Sequence, residues 1–266
     1  MYKHYFGLLE KPFAKTPDPR FLFLSSGHEE ALARLEYAVE EREIALLTGD
    51  VGCGKTTISR ALMDRCGQRC RFVLIFNPRM GAMEFLRTVA HGLEIEQPAR
   101  CKDDLLLQIT DVLYDLYRQG VCPVLVIDEA QTISDLEVFD EIRLLTNYQM
   151  DTHNLISVLI MGQPELRNLL KYQPLEPLRQ RISMQFHLNP LTLEETMEYL
   201  DFRLVAAGGV AGLFTPDAVQ AIYGLSSGVP RKINAIATNA LLVAYGADAA
   251  VIDASIIQDV RDEVTI

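Results

Sequence analysis

The fold of this chain is decided by the stretch Gly49-Asp50-Val51-Gly52-Cys53-Gly54-Lys55-Thr56, which has the spacing G-x-x-x-x-G-K-[ST]. Its glycines let the chain curl so that successive backbone N–H groups point at phosphate oxygens. The apolar run Ile44–Thr48 before it predicts a strand, and Thr57–Cys66 after it predicts a helix whose positive N-terminal end also favours phosphate. The stretch therefore predicts a phosphate loop, in preference to a chance glycine-rich turn.

Two side chains of this loop have predicted roles of their own. We expect Lys55 to reach the β- and γ-phosphates of a nucleotide and the Thr56 hydroxyl to ligate Mg²⁺. The expected cofactors are thus ATP and Mg²⁺. The predicted nucleotide-binding residues are the loop, the threonine after it and two residues from later motifs, namely Gly49, Asp50, Val51, Gly52, Cys53, Gly54, Lys55, Thr56, Thr57, Asp128 and Arg231.

A second motif, Val124-Leu125-Val126-Ile127-Asp128-Glu129, places two carboxylates after an apolar run. Open α/β sheets bind their ligands beyond the carboxyl ends of the strands. We expect Asp128 to hold Mg²⁺ from its outer coordination sphere, and Glu129 to polarise the attacking water as a general base. The alternative is a solvated acidic turn after a core strand. Because the motif accompanies a phosphate loop on a separate strand, it favours ATP binding and hydrolysis.

Short apolar runs alternate with amphipathic segments as far as residue 189. The predicted strands are Ile44–Thr48, Phe72–Phe76, Val124–Ile127, Leu155–Met161 and Met184–Leu188. The predicted helices are His28–Arg42, Lys55–Cys66, Met83–Leu93, Leu105–Tyr117, Leu136–Tyr148 and Glu165–Lys171. This alternation predicts an α/β, P-loop NTPase fold, with a parallel five-stranded sheet that carries helices on both faces.

After Pro190 the pattern changes to helices only. Thr192 with Glu195 forms a capping box, and Thr215 before Pro216 opens another helix. Two more helices are predicted at Val229–Tyr245 and Asp253–Val264. The first 27 residues are rich in aromatic residues and proline. We therefore expect a strap at 1–27 packed on the core, an ATPase core at 28–189 and an all-α lid at 190–266.

Two positions outside these motifs are candidates for contact with the phosphates. Gln163 follows a predicted strand, so it lies between Glu129 and the γ-phosphate or is a turn residue before Pro164. Arg231 opens a predicted lid helix, where a cation is poorly placed against the helix dipole. That mismatch favours contact with phosphate from the lid side over a helix-terminal arginine without a ligand.

Arg179 and Arg181 lie just before the last predicted strand. Such arginines are candidates for an arginine finger, a side chain that reaches the γ-phosphate of the nucleotide bound to a neighbouring subunit. The alternative is a surface-helix arginine, and Arg181 is the preferred candidate of the two. The predicted catalytic residues are Glu129, Lys55, Arg181, Arg179 and Gln163.

Composition restricts the class of protein. The chain has 266 residues and a formal net charge of −11, which argues against a general polyanion binder but leaves room for one basic groove. No apolar run approaches the ~20 residues that span a bilayer, and the start of the chain has no signal-peptide pattern. The five cysteines contain no CxxC pair. We expect a cytoplasmic protein with reduced cysteines.

These motifs together resemble the AAA+ ATPases, and more narrowly the ExeA/GspA-type ATPases associated with bacterial general (type II) secretion. The resemblance covers nearly the whole chain. It rests on Tyr5-Phe6-Gly7-Leu8, Lys11-Pro12-Phe13, Thr16-Pro17-Asp18-Pro19-Arg20-Phe21-Leu22, the phosphate loop, Asp128-Glu129-Ala130-Gln131, Gly162-Gln163-Pro164-Glu165-Leu166 and Gly228-Val229-Pro230-Arg231-Lys232-Ile233-Asn234.

The resemblance implies an α/β core and a helical lid that clasp ATP between subunits of a homo-oligomeric ring or filament. It implies that Gln163 and Arg231 occupy the first and second positions that sense the bound nucleotide, and that Arg179 or Arg181 is the arginine finger. It also implies that the N-terminal motifs line the adenine side of the nucleotide site. Full-length secretion members are expected to continue into a membrane span and a peptidoglycan-binding domain. Strap, core and lid account for the 266 residues here, so we expect a partner to supply the attachment.

Three functions are consistent with this sequence. The first is a Mg²⁺-ATP-dependent oligomeric switch or motor of an envelope secretion or assembly system, recruited to the inner membrane by a partner protein. The second is a transposition-type helper that assembles on duplex DNA, which the net charge of −11 disfavours. The third is a nucleotide-sensing scaffold with little turnover, against which Glu129 argues.

Overall fold

The computed structural model describes residues 2–14, 19–148 and 154–264, so that Thr16, Pro17 and Asp18 of the opening motif lie outside the described residues. The chain divides into two compact units. The α/β unit contains His28–Gly49 and Ile58–Leu188, and the helical unit contains Met1–Gly27, Asp50–Thr57 and Asn189–Ile266.

The α/β unit is built on a five-stranded parallel sheet, which confirms the predicted fold class. The strands are β1 (Ile44–Gly49), β2 (Cys70–Phe76), β3 (Cys122–Asp128), β4 (Ser157–Gly162) and β5 (Ile182–Leu188). Their order across the sheet is β2-β3-β4-β1-β5. Every residue of β1, β3 and β4 is buried, as expected for central parallel strands covered by helices on both faces.

Most helices of the described residues fall in the segments predicted to be helical, and the four-residue helices Tyr2–Tyr5 and Glu176–Arg179 are additions that the sequence did not predict. The helices are α1 (Tyr2–Tyr5), α2 (Ser26–Glu40), α3 (Lys55–Cys66), α4 (Ala82–Gly92), α5 (Lys102–Arg118), α6 (Leu136–Leu145), α7 (Glu165–Leu169), α8 (Glu176–Arg179), α9 (Leu193–Ala206), α10 (Pro216–Ser226), α11 (Pro230–Gly246) and α12 (Ala254–Val264). Helix α5 shows why they pack: Leu105, Ile109 and Leu113 recur at helical spacing and are fully buried. Among the described residues, no helix is long and apolar enough to cross a membrane.

The C-terminal segment of the helical unit opens with the capping box that the sequence predicts. Thr192 accepts a hydrogen bond from the backbone N–H of Glu195 at 3.1 Å, and the Glu195 carboxylate accepts one from the N–H of Thr192 at 3.0 Å. These two bonds satisfy N–H groups that have no partner within the helix, and they fix the start of α9. Thr215 caps α10 through its side chain alone, which accepts a hydrogen bond from the backbone N–H of Ala218, and Pro216 occupies the first turn.

The described residues of the strap, 2–14 and 19–27, group with the helical unit. Leu8, Phe13 and Phe21 of the strap belong to one hydrophobic cluster with side chains of α9 to α12. Buried Arg203 of α9 donates hydrogen bonds to the carbonyl oxygens of Pro12 (2.6 Å), Ala14 and Phe21 (both 3.3 Å). A helix-borne guanidinium thus satisfies strap carbonyls that would otherwise be buried without donors.

Candidate functional site

The phosphate loop runs from the end of β1 to the start of α3, as its sequence predicts. Gly52 and Gly54 have φ angles of +90° and +103°, which side chains with a Cβ rarely adopt. Lys55 is 6% exposed, and its ammonium donates a hydrogen bond to the carbonyl oxygen of Asp50 at 3.0 Å. The lysine side chain therefore folds back over the curled loop at the N-terminus of α3.

Arg231 lies beside this loop within the helical unit. A Cβ placed on Gly52 would lie 2.7 Å from the Cβ of Arg231 and 3.2 Å from Val229. The absence of a side chain at position 52 therefore allows the start of α11 to pack directly on the loop. This packing puts Arg231 at the loop that the sequence analysis assigns to phosphate binding.

Cys53 sits at the centre of the loop and is buried. Burial raises the pKa of its thiol and the Asp50 carboxylate raises it further, while Lys55 and a backbone hydrogen bond act in the opposite direction. The thiol is therefore neutral at neutral pH. It adds no negative charge beside the backbone N–H groups that are predicted to bind phosphate.

The two carboxylates of the second motif end β3 in the α/β unit. Asp128 is 4% exposed, and its Oδ1 accepts a hydrogen bond from the backbone N–H of Glu129 at 2.9 Å. Glu129 has left-handed backbone angles, φ 55° and ψ 37°, and the hydroxyl of Thr132 donates to its carbonyl oxygen at 2.8 Å. Such a conformation is uncommon outside glycine and is concentrated at functional sites.

Two carboxamides hold the carboxylate of Glu129. Its Oε2 accepts a hydrogen bond from Nε2 of Gln131 at 2.5 Å and another from Nε2 of Gln163 at 3.1 Å. The structure thus brings the side chain of Gln163 into contact with Glu129, and its place next to a γ-phosphate stays a prediction. Gln131 was not among the predicted site residues, because its contact arises from a left-handed turn and a 3₁₀ helix that spacing does not reveal.

Sheet topology places the carboxyl ends of three strands of the α/β unit next to one another. Strand β4 lies between β1 and β3, with Thr48 of β1 paired to Gly162 of β4. Gly49, Glu129 and Gln163 each end or directly follow one of these neighbouring strands. Open parallel sheets bind their ligands beyond the carboxyl ends of their strands, where these three residues lie.

The two candidate finger arginines lie elsewhere in the α/β unit. Arg181 directly precedes β5, whereas Gly49 pairs with Leu188 at the other end of that strand, about 20 Å away at 3.3 Å per residue. A guanidinium NH₂ group of Arg181 donates to the Thr146 hydroxyl at 3.0 Å, and Arg179 pairs with Glu176 at 3.1 Å. An arginine finger at this end of the sheet would have to contact a nucleotide bound to a neighbouring subunit.

The donor chemistry fits Mg²⁺. Thr56, an exposed residue of the helical unit, carries a hydroxyl, and Asp128, a buried residue of the α/β unit, carries a carboxylate. Each is a hard oxygen donor, the type of ligand that this ion prefers. In the part of the chain that the structure describes, no three His, Cys, Asp or Glu side chains are grouped to hold a metal ion. A Mg²⁺ ion bound with a nucleotide needs no such cage, because phosphate oxygens and water complete its coordination.

Comparison with known proteins identifies the family. The family described as "AAA domain" matches residues 38–170, which is half of the chain and includes both motifs. The chain belongs to the AAA family. This AAA chain is also similar to the General secretion pathway protein A of Aeromonas hydrophila, with 38% identity over 92% of the chain. It spans 45% of the length of that relative.

Solved structures support the fold of both units. Cdc6p from Pyrobaculum aerophilum has a TM-score of 0.73 with 20% identity, and the match covers 97% of this chain and 72% of that one. The ORC2 protein of Aeropyrum pernix, solved in ADPNP–ADP complexes, has a TM-score of 0.71 with 16% identity, covering 96% and 71%. At such low identity the likeness shows a shared fold.

Proposed function

We propose that this chain is a Mg²⁺-dependent ATPase that hydrolyses ATP to ADP and phosphate. The observation that carries the proposal is the geometry of Glu129. Glu129 directly follows β3, and its carboxylate accepts hydrogen bonds from two carboxamides. Strand β1 of the same sheet leads into the phosphate loop. A held carboxylate beside the strand ends is suited to act as a general base toward water.

The other residues then have defined parts in the reaction. Backbone N–H groups of the phosphate loop and the ammonium of Lys55 bind the phosphates, while Thr56 and Asp128 hold Mg²⁺. When bound, the ion neutralises the charge that develops on the phosphate oxygens. Gln163 senses the γ-phosphate through Glu129, and Arg231 contacts the phosphates from α11.

We further propose that the ATPase works as a homo-oligomeric switch or motor in a bacterial secretion or envelope-assembly system. Similarity to the General secretion pathway protein A supports this role, although the chain spans 45% of that relative. The protein is then cytoplasmic and is recruited to the inner membrane by a protein of the secretion machinery. Nucleotide state would control its assembly, because ATP is shared between neighbouring subunits.

The finger role of Arg181 predicts complementation between two inactive variants. Arg181→Ala and Lys55→Ala should each lose nearly all ATPase activity alone. When the two variants are mixed in equal amounts, random pairing places an intact loop opposite an intact finger at about a quarter of the interfaces. Activity should therefore return to about a quarter of the wild-type rate or less. Phosphate release is measured at several mixing ratios.

Arg118→Ala is the matched control, because this exposed arginine pairs with Asp115 on α5 and has no role in the proposed site. That variant should hydrolyse ATP at the wild-type rate. An absence of recovery at every mixing ratio would contradict a finger supplied by Arg181 in trans. The same experiment with Arg179→Ala decides between the two arginines.

The secretion role is tested by measuring ATPase rate and oligomer size with and without duplex DNA over a series of salt concentrations. With a net charge of −11, we expect both quantities to be indifferent to DNA. Hydrolysis stimulated by DNA, together with binding that falls steeply as salt rises, would instead support a DNA-associated helper.

A further inference from the structure

Gln131 uses both ends of its carboxamide within the candidate site. Its Nε2 donates to Oε2 of Glu129 at 2.5 Å, and its Oε1 accepts from the backbone N–H of Gln163 at 3.0 Å. The side chain of Gln163 meets the same carboxylate oxygen of Glu129 at 3.1 Å. The three residues therefore form a closed ring of hydrogen bonds between the turn after β3 and the turn after β4.

The neighbouring chain is shaped to admit this carboxamide. A Cβ on Gly162 would lie 2.6 Å from Oε1 of Gln131 and 2.7 Å from Cδ2 of Leu166. Both distances are shorter than real Cβ contacts. Only glycine at position 162 lets Gln131 reach the backbone of Gln163, although the φ angle of Gly162 itself does not require glycine.

We infer that Gln131 is a positioning residue for the proposed hydrolysis, and this inference rests on the proposed ATPase function. Gln131 fixes the direction of the Glu129 carboxylate relative to Gln163, so that the base and the residue beside the γ-phosphate move together. A group that aligns the base does not bind nucleotide. It therefore acts on turnover and leaves nucleotide affinity unchanged.

The test is Gln131→Met, which keeps an unbranched side chain of similar length and removes both the donor and the acceptor. We expect kcat to fall about 30- to 100-fold, the scale of a misplaced reacting group. KM and the calorimetric Kd for Mg-ATP should stay within about twofold of wild type. Unfolded chain would also lower the apparent kcat without changing KM, so the number of Mg-ATP molecules bound per chain in the same calorimetric titration is the readout that separates the two cases. It should equal the wild-type number if positioning is lost and should fall if folded protein is lost.

Gln108→Met is the matched control. Gln108 also uses both ends of its carboxamide, accepting from the N–H of Ala99 at 2.8 Å and donating to the carbonyl of Gln97 at 3.3 Å, but it joins structural segments of the same unit. Its loss should lower Tm by about as much as Gln131→Met and leave kcat unchanged. Equal falls of kcat in the two variants would overturn the inference.

Gly162→Ala provides a second route to the same contact without altering Gln131 or Glu129. The added methyl group must displace the carboxamide, so kcat should fall as in Gln131→Met. The double variant should lose no more than the larger single loss, because both changes break one interaction. Additive losses, or a kcat within about threefold of wild type in both single variants, would contradict the inference.

Failure of the inference can be told from failure of the proposed function. A wild-type chain that releases no phosphate from Mg-ATP refutes both. If wild type turns over and Glu129→Gln does not, while Gln131→Met remains fully active, the ATPase stands and the positioning role of Gln131 is refuted.

Discussion

Glu129→Gln is expected to bind Mg-ATP as tightly as wild type and to lose turnover by about 10²- to 10⁴-fold, the usual contribution of general base catalysis. Glutamine is nearly isosteric with glutamate, so the turn after β3 can be retained. Its neutral carboxamide cannot accept the proton of the attacking water. ATP then persists in the site, and the ATP-bound oligomer should accumulate.

The measurement is phosphate release in a single turnover, together with nucleotide affinity by calorimetry and mass by light scattering. Glu84→Gln serves as control, because Glu84 is an exposed glutamate in the first turn of α4, in the same unit. It should match wild type in all three measurements. Near-normal hydrolysis by Glu129→Gln would remove Glu129 as the base and with it the observation that carries the proposed function.

Lys55→Ala should abolish nucleotide binding at micromolar ATP. The ammonium lies folded over the phosphate loop, 6% exposed, where it would donate to phosphate oxygens. Charge-assisted hydrogen bonds contribute about 1.5–3 kcal/mol each, so the loss of two or three of them weakens binding by about 10²-fold or more. Calorimetric titration with Mg-ATP measures the change.

Lys171→Ala is the control for the lost charge, because Lys171 is exposed and lies in the turn after α7. It should bind ATP normally. An unchanged affinity in Lys55→Ala would refute the assignment of residues 49–56 as the phosphate loop, whatever its effect on turnover.

The sheet was predictable because burial leaves a pattern in the sequence. Apolar runs located all five strands. The signal is strongest for β1, β3 and β4, which are buried along their whole length, and it is weak for β5, an outer strand that is only partly buried. The same signal misplaced some ends. Leu155 and Ile156 belong to the predicted fourth strand and are fully buried, but they precede the ladder that begins at Ser157, because burial does not imply pairing.

Helix ends depended on contacts between distant residues. The apolar pattern extends the fifth predicted helix, Leu136–Tyr148, to Tyr148, but the helix formed there, α6, ends at Leu145. There the Thr146 hydroxyl donates to the carbonyl of Arg143 and accepts from Arg181, far along the chain. The capping box of α9 was predictable, because all its partners lie within four residues.

The candidate site was predictable in its residue types and not in its connections. Spacing singled out Lys55 and Glu129, because phosphate loops and strand-end carboxylates recur at fixed positions. The role of Gln131 follows from the left-handed backbone of Glu129 and the missing Cβ of Gly162. The sequence prints Gly162, but it does not show the approach of Gln131 that this glycine allows, which forms only when the turns after β3 and β4 lie side by side.

The central claim, that the held carboxylate of Glu129 belongs to an ATP-hydrolysing site, is tested most directly by the steady-state rate of phosphate release from wild-type chain. The rate is measured against ATP concentration, with and without Mg²⁺, using Lys55→Ala as the background. We predict a saturable, Mg²⁺-dependent rate well above that background. A wild-type rate no higher than that of Lys55→Ala, under conditions where calorimetry shows ATP bound, would contradict the claim.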